Sequence, residues 1–349
     1  MKFLMAGLGG IGQRHVRNLR ALLGSEAEII AYRVRRDSPT LTDSLGVEPG
    51  ADVDEKYGLR VVTDLDSALA EGPDAVLVCN PSRLHLPIAL KSARAGAALF
   101  IEKPLSADLD GVRELIDLVE SRQLVGLVGY QMRFHPSLVR AASLLEDAAI
   151  GRVVAVRIEV GEYLPGWHTY EDYRQMYASR ADLGGGVILS QIHELDYVYW
   201  LFGMPRRVFA IGGHLTRLEV DVEDTASILL ECSVDGRAIP VHVHQDYIQR
   251  PPSRTCEIVG DAGKILVDLR LLTLTAYDGE GNVTESSENP GFERNQLFLD
   301  EMTHFLKCLE GRESPRVSIR DGAHSLAIAL AAKESIETGR VIDLSESVV

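Results

Sequence analysis

Lys103 and His193 are the side chains whose neighbours point most directly to proton transfer. Lys103 stands in Glu102-Lys103-Pro104, directly after the apolar run Ala97-Ala98-Leu99-Phe100-Ile101. An amine that is partly desolvated and near other positive charge can lose its proton at neutral pH, and so accept one from a hydroxyl. An alcohol needs that acceptor when its carbon gives up hydride. In reverse, the ammonium donates to a carbonyl oxygen. Glu102 is expected to orient the lysine by hydrogen bonding, and Pro104 fixes the chain direction after the strand. Without its neighbours, Glu-Lys-Pro reads equally as a surface turn. His193 follows Gly184-Gly185-Gly186 and Ser190 and opens a helical pattern. Asp196 lies three residues on, one turn away, where it can orient the ring. The plainer reading of a helix histidine is packing.

A base that prepares an alcohol for hydride loss needs a hydride acceptor, and the first residues offer a place for one. The strand Phe3 to Ala6 runs into Gly7-Leu8-Gly9-Gly10-Ile11-Gly12, and Val16, Leu19, Leu22 and Leu23 then recur at helical spacing. G-x-G-x-x-G between a strand and a helix grips a dinucleotide pyrophosphate: tight turn, close backbone approach, close helix packing, and unpaired N–H groups at the helix start. A glycine-rich turn in an unrelated parallel sheet is the competing reading. The second strand, Glu28 to Tyr32, ends at Arg33-Val34-Arg35-Arg36. NAD enzymes carry a carboxylate there for the ribose hydroxyls. Guanidinium forks match a phosphate instead, so Arg33, Arg35 and Arg36 predict NADP. Asp37, or a solvated basic loop, leaves NAD open.

The elements that must position these groups alternate. Ala75 to Cys79 and Ala97 to Ile101 are continuous apolar strands, as a sheet covered on both faces requires. Helices are predicted from about His85 to Ala95 and Asp108 to Ser121, and a further strand from Val125 to Tyr130. Polar residues at the carboxyl ends of such strands sit where ligands bind. Asn80, Pro81, His85, Glu102 and Lys103 are candidates on that ground. The composition shifts after Tyr130, and the boundary is set there. From Arg152 the chain alternates as strands: Val154 to Val160, Val208 to Ile211, Thr225 to Cys232, Ile239 to Tyr247, Thr255 to Val259 and Lys264 to Leu269. Helices follow at about 295–309 and 321–338. His242 and His244 share one sheet face without a third ligand, and no metal is expected. The loop Tyr163 to Arg174 is rich in aromatic and hydrogen-bonding groups. Aromatic faces stack on sugars while polar groups bind hydroxyls or a charged substituent. Trp167, His168, Tyr173 and Arg174 are therefore substrate candidates, against the alternative that the loop merely covers the sheet.

A net charge of −15 argues against a sequence-independent nucleic-acid surface. No apolar run approaches the roughly 20 residues of a membrane span. The first residues already read as the nucleotide strand rather than a secretory leader, and Cys79, Cys232, Cys256 and Cys308 lack any C-x-x-C spacing. A cytoplasmic protein with reduced core thiols is expected.

Together, the opening glycines, Asn80-Pro81 with His85, Glu102-Lys103-Pro104, and the triple glycine with a downstream histidine resemble the glucose–fructose oxidoreductase / inositol dehydrogenase / MocA-like (Gfo/Idh/MocA) family of NAD(P)-dependent oxidoreductases, over essentially the whole chain. The resemblance implies α/β plus α+β architecture. Residues 1–130 would form a Rossmann doubly wound parallel sheet. Residues 131–320 would form an α/β domain with a large, mostly antiparallel open sheet for substrate and oligomerisation, and the helix at about 321–338 would pack back on the first domain. It also implies that Lys103 sits beside the nicotinamide and the reacting hydroxyl, that Gln131 lies near the cofactor amide, and that dimers or tetramers build on the second sheet. Family members often carry an aspartate four residues before the site histidine. Here Ser190 stands three residues before His193. The expectation is an NADP-preferring oxidoreductase of a sugar or sugar derivative, with a nucleotide-activated sugar among the options. The competing readings are a dinucleotide-binding sensor without turnover and a cofactor-retaining hydrolase or dehydratase.

Overall fold

A computed structural model describes residues 1–34, 39–42 and 46–344. Apolar runs with no polar phase need cover on both faces, and the first strands receive it. The strands β1 (Lys2–Ala6), β2 (Glu28–Tyr32), β3 (Arg60–Val62), β4 (Ala75–Val78), β5 (Ala98–Glu102) and β6 (Gly126–Gly129) pair in parallel in the order β3-β2-β1-β4-β5-β6. Strand order reverses between β1 and β4, so a crevice opens at their carboxyl ends. One face packs Phe3, Met5, Leu77 and Phe100 against Val16 and Leu19 of the helix Gly10–Leu23. Met302 and Phe305 of the helix Arg294–Leu309 join that same core. The other face packs Leu4, Val76 and Leu99 against the helices His85–Arg94 and Val112–Ser121.

The second sheet holds β7 (Val153–Gly161), β8 (Arg207–Gly213), β9 (Thr225–Val234), β10 (Arg237–Asp246), β11 (Ser253–Gly260), β12 (Gly263–Asp268), β13 (Thr273–Asp278), β14 (Val283–Glu288) and β15 (Ile342–Asp343). Their order is β14-β13-β12-β11-β7-β10-β9-β8-β15. The β7–β10 pair is parallel and the other pairs are antiparallel. A parallel Rossmann sheet followed by a large, mostly antiparallel sheet is the architecture expected. The period of two is clear in β10: Val241 and Val243 are buried, while His242 and His244 face the other way. His242 Nε2 meets Ser227 Oγ at 2.9 Å and His244 Nε2 meets Asp246 at 3.2 Å. Among the described residues no cluster of His, Cys, Asp or Glu is arranged to hold a metal. The four cysteines are buried and unbridged.

Two late helices join the halves. Ile319–Thr338 starts at a capping box of Ser318 and Asp321. It sets Gly322 so close to Val128 of β6 that a Cβ would lie 2.6 Å from its Cγ2. Further along, its Ser335 Oγ accepts the Ala210 N–H of β8 at 2.9 Å. The sequence reading brings only this helix back to the first domain. In the structure Arg294–Leu309 also returns, with Phe305 edge-on to Phe100 at 5.4 Å. Among the described residues no helix is long and apolar enough to cross a membrane.

Candidate active site

A cleft of about 1450 Å³ opens at the carboxyl ends of β1, β4 and β5 and runs out over the second domain. Gly7, Gly9, Gly10 and Ile11 line its floor. A Cβ on Gly9 would meet nothing within 4 Å, so a pyrophosphate can approach the backbone there. Gly12 is off the wall: a Cβ there would lie 2.2 Å from Gly7 O, so its absence lets the helix seat on the turn. Arg33 follows β2, lines the cleft and donates from Nη1 to Asp54 Oδ1 at 2.9 Å. Arg35 and Arg36, with Asp37, lie outside the described residues.

Asn80, Pro81, Glu102, Lys103 and Gln131 line the cleft. His85 does not. It is 1% exposed, with ring nitrogens 2.6 Å from Asn80 O and 2.7 Å from Pro104 O. It opens its own helix facing inward, and there it ties the turn after β4 to the turn after β5. Glu102 does not hold the Lys103 side chain. Its Oε1 lies 2.6 Å from His15 Nε2 in the interior, and Lys103 Nζ instead donates to Ser190 O at 2.7 Å. Ser190 therefore contributes its carbonyl to the site.

His193 is the first residue of the helix His193–Phe202 and lines the cleft, edge-on to Tyr130 at 5.7 Å. Its Nδ1 has no hydrogen-bond partner among the described residues. Burial, then the charges of Lys103, Arg254 and Arg294, hold its pKa well below the ordinary imidazole value. The ring is neutral at physiological pH. Asp196 does not orient it. Its carboxylate takes Arg133 in a fork at 2.9 and 2.8 Å and the Ser325 hydroxyl at 2.9 Å, because its side of the helix faces the last helix rather than the cleft.

Trp167 and His168 line the outer cleft. Trp167 is edge-on to Tyr247 at 5.3 Å, and His168 Nδ1 lies 2.8 Å from Glu171 Oε1. Tyr173 and Arg174 do not reach the cleft. Asp172 caps a tight turn that carries them outward. There the Tyr173 hydroxyl accepts Glu219 N at 3.2 Å, and Arg174 forks onto Asp172 and reaches Glu219 at 3.1 Å. Gly185 and Gly186 do not line the cleft either. Cβ atoms there would lie 2.3 Å from Tyr177 O and 2.2 Å from Glu223 Oε1, so the glycines serve packing within the second domain.

Arg254, Arg270 and Arg294 also line the cleft and were not anticipated. One signal was available. Arg254 occupies the phase of β11 that buries Cys256 and Ile258, an odd position for a cation. Arg294, the first residue of its helix, opposes the positive dipole end.

The free polar atoms of the cleft suit a dinucleotide. Asn80 Oδ1 and Gln131 Oε1 are buried acceptors without partners among the described residues, near the glycine turn and Lys103 respectively. Residues 1–130 match the model of an oxidoreductase family with an NAD-binding Rossmann fold, and residues 138–266 match the GFO/IDH/MocA C-terminal domain. Myo-inositol 2-dehydrogenase of Thermotoga maritima is 28% identical over 362 aligned residues, covering 99% of each chain. D-xylose 1-dehydrogenase (NADP(+)) 2 of Haloferax volcanii is 24% identical, covering 99% of this chain and 100% of its own. A solved structure of levoglucosan dehydrogenase with NADH has a TM-score of 0.82 at 19% identity, over 99% of both chains, a likeness of fold.

Proposed function

The chain belongs to the GFO/IDH/MocA oxidoreductase family, and from that premise we propose that it moves hydride between a nicotinamide dinucleotide and a carbinol carbon of a sugar or sugar derivative. The observation that carries this is Lys103 Nζ, held on Ser190 O at 2.7 Å in a cleft that begins at the glycine turn and ends at Trp167 and His168. In this reading residues 1–130 hold the dinucleotide and residues 131–320 hold the substrate, with the helix at 321–338 bridging them.

The dinucleotide, when bound, supplies or accepts the hydride. Gly7, Gly9, Gly10 and Ile11 would hold its pyrophosphate, and Asn80 and Gln131 its ribose and amide. Lys103 takes the hydroxyl proton in oxidation and returns one to the carbonyl oxygen in reduction. The Ser190 carbonyl fixes the direction of Nζ. His193, kept neutral by burial and by the cations around it, holds the reacting hydroxyl through its other ring nitrogen, Nε2, rather than storing a proton. Trp167 offers an apolar face to the sugar ring.

For the finer choice of cofactor we propose NADP, because Arg33 lines the cleft directly after β2. A charge-assisted bond to a 2′-phosphate favours NADP by roughly tenfold or more. The ion pair of Arg33 with Asp54 supports NAD as the second reading, since it already meets part of that charge. Titration with NADPH and NADH by fluorescence decides between them. NADPH should bind more tightly, and Arg33→Asp should invert the order. Equal or tighter binding of NADH to the unmodified protein overturns the choice.

A further inference from the structure

The part of the cleft beyond the glycine turn is cationic, in a chain whose net charge is −15. Arg254, Arg270 and Arg294 line it together with Lys103. Two of these arginines are engaged. Arg254 forks onto the buried Glu194 at 2.8 and 3.1 Å, and Arg270 Nη1 lies 3.5 Å from Glu162. Arg294 is exposed to the cleft and makes no hydrogen bond or ion pair with any described residue. Desolvation by the cleft walls and the like charges of Arg254 and Arg270 hold its pKa below the ordinary arginine value, and Glu162 offsets this in part. It also begins its helix, with no acidic residue in the first turn, so the helix dipole opposes its charge. Glu162 is thus the one favourable charge at this position, and the desolvation, the two like charges and the helix dipole together outweigh it. A residue that breaks local rules without full internal compensation is expected where a ligand supplies the compensation.

The location is informative as well. Lys103, Arg254 and Arg294 all act on His193 with the same sign. The unbalanced charge therefore sits beside the reacting end of the cleft, away from the floor that would hold the pyrophosphate. A guanidinium fork matches the paired oxygens of a carboxylate or phosphate.

We infer that the substrate is an anionic sugar derivative whose carboxylate or phosphate, close to the reacting carbinol carbon, is gripped by Arg294 in the field of Arg254 and Arg270. This rests on reading the cleft as a dehydrogenase site. In this arrangement the anion completes the charge balance of the cleft, and a neutral polyol leaves Arg294 without an anionic partner.

The test uses the full-length protein loaded with reduced dinucleotide and follows nicotinamide fluorescence as probes are added. The probes are a neutral hexose, inositol, an aldonic acid, a uronic acid and a hexose phosphate. One or more of the acids or the phosphate should bind roughly tenfold to hundredfold more tightly than the neutral compounds, and the stronger arm identifies the anion. Arg294→Ala should abolish that preference and Arg294→Lys should keep part of it, both with dinucleotide affinity unchanged. Equal affinity for neutral and anionic probes, or a preference that survives Arg294→Ala, overturns the inference. Hydride transfer to or from neutral polyols with no anion preference overturns it too, while upholding the dehydrogenase reading. Anion binding that depends on Arg294 but is never accompanied by hydride transfer supports it and overturns the dehydrogenase reading.

Discussion

Ser190 O receives the Lys103 ammonium at 2.7 Å, so the lysine is aimed by backbone from the second domain rather than by its neighbour Glu102. Lys103→Ala should lower kcat by roughly 10²–10⁴, the span of a general acid–base, with dinucleotide affinity within a few-fold. His193→Ala tests a different role. A neutral ring that holds the hydroxyl should lose roughly tenfold in kcat/KM when removed. If the ring only packs, the melting temperature should fall while activity per folded molecule survives, and measuring both on one variant separates the two. The place of Lys103 in the cleft was legible in the sequence because a short polar tripeptide ends an unbroken apolar strand. The partners were not legible. Glu102 and Asp196 are carboxylates at plausible spacing, but His15 and Arg133, distant in the chain, claim them in the interior. Arg294 was missed because its meaning depends on what lacks a partner across the cleft.

Among the elements, the strands of both sheets were largely readable from apolar runs and alternation, while the route of the late helices was not. Amphipathic periodicity marks Arg294–Leu309 as a helix, but the face it covers is fixed by the fit of Met302 and Phe305 onto Phe100 and the first helix. The tight turn at Asp172 was hidden inside an aromatic-rich loop, so Tyr173 and Arg174 read as site residues when they point away. The helix Pro136–Glu146 gives an element-scale prediction. Its N-cap His135 is 1% exposed, and burial pushes its pKa from the ordinary 6.5 down to about 4. The folded chain therefore keeps this ring neutral while the unfolded chain protonates it. Stability should fall as pH drops from about 6.5 towards 4, with no further contribution below, a loss of about 3 kcal/mol over that window. Chemical denaturation at a series of pH values checks it. His135→Gln should flatten that part of the profile, and an unchanged slope would contradict the assignment.

For the whole molecule, the family resemblance implies dimers or tetramers built on the second sheet, and an uncovered apolar sheet face marks such an interface. The structure narrows this. The outward phase carries Arg157, Glu159, His242, His244 and Glu257 over most of its width. Its apolar part gathers where Phe209 and Ile211 of β8 adjoin Leu229 of β9, the last two 66% and 49% exposed. A homo-oligomer with even subunit number on this face is the expectation. Sedimentation should give a mass above the monomer, lowered by Leu229→Glu, and a monomer mass at every concentration would contradict it. The central claim spans both domains: Lys103, aimed from one, serves hydride transfer between a dinucleotide on the first and a sugar on the second. The most direct measurement supplies oxidised dinucleotide and a panel of neutral and acidic sugars deuterated at their carbinol carbons, and reads deuterium on the nicotinamide by mass spectrometry. The account predicts deuterium on the reduced nicotinamide with at least one sugar, and a rate roughly 10²–10⁴ lower in Lys103→Ala. No transfer from any sugar, or the same rate in the variant, would contradict it.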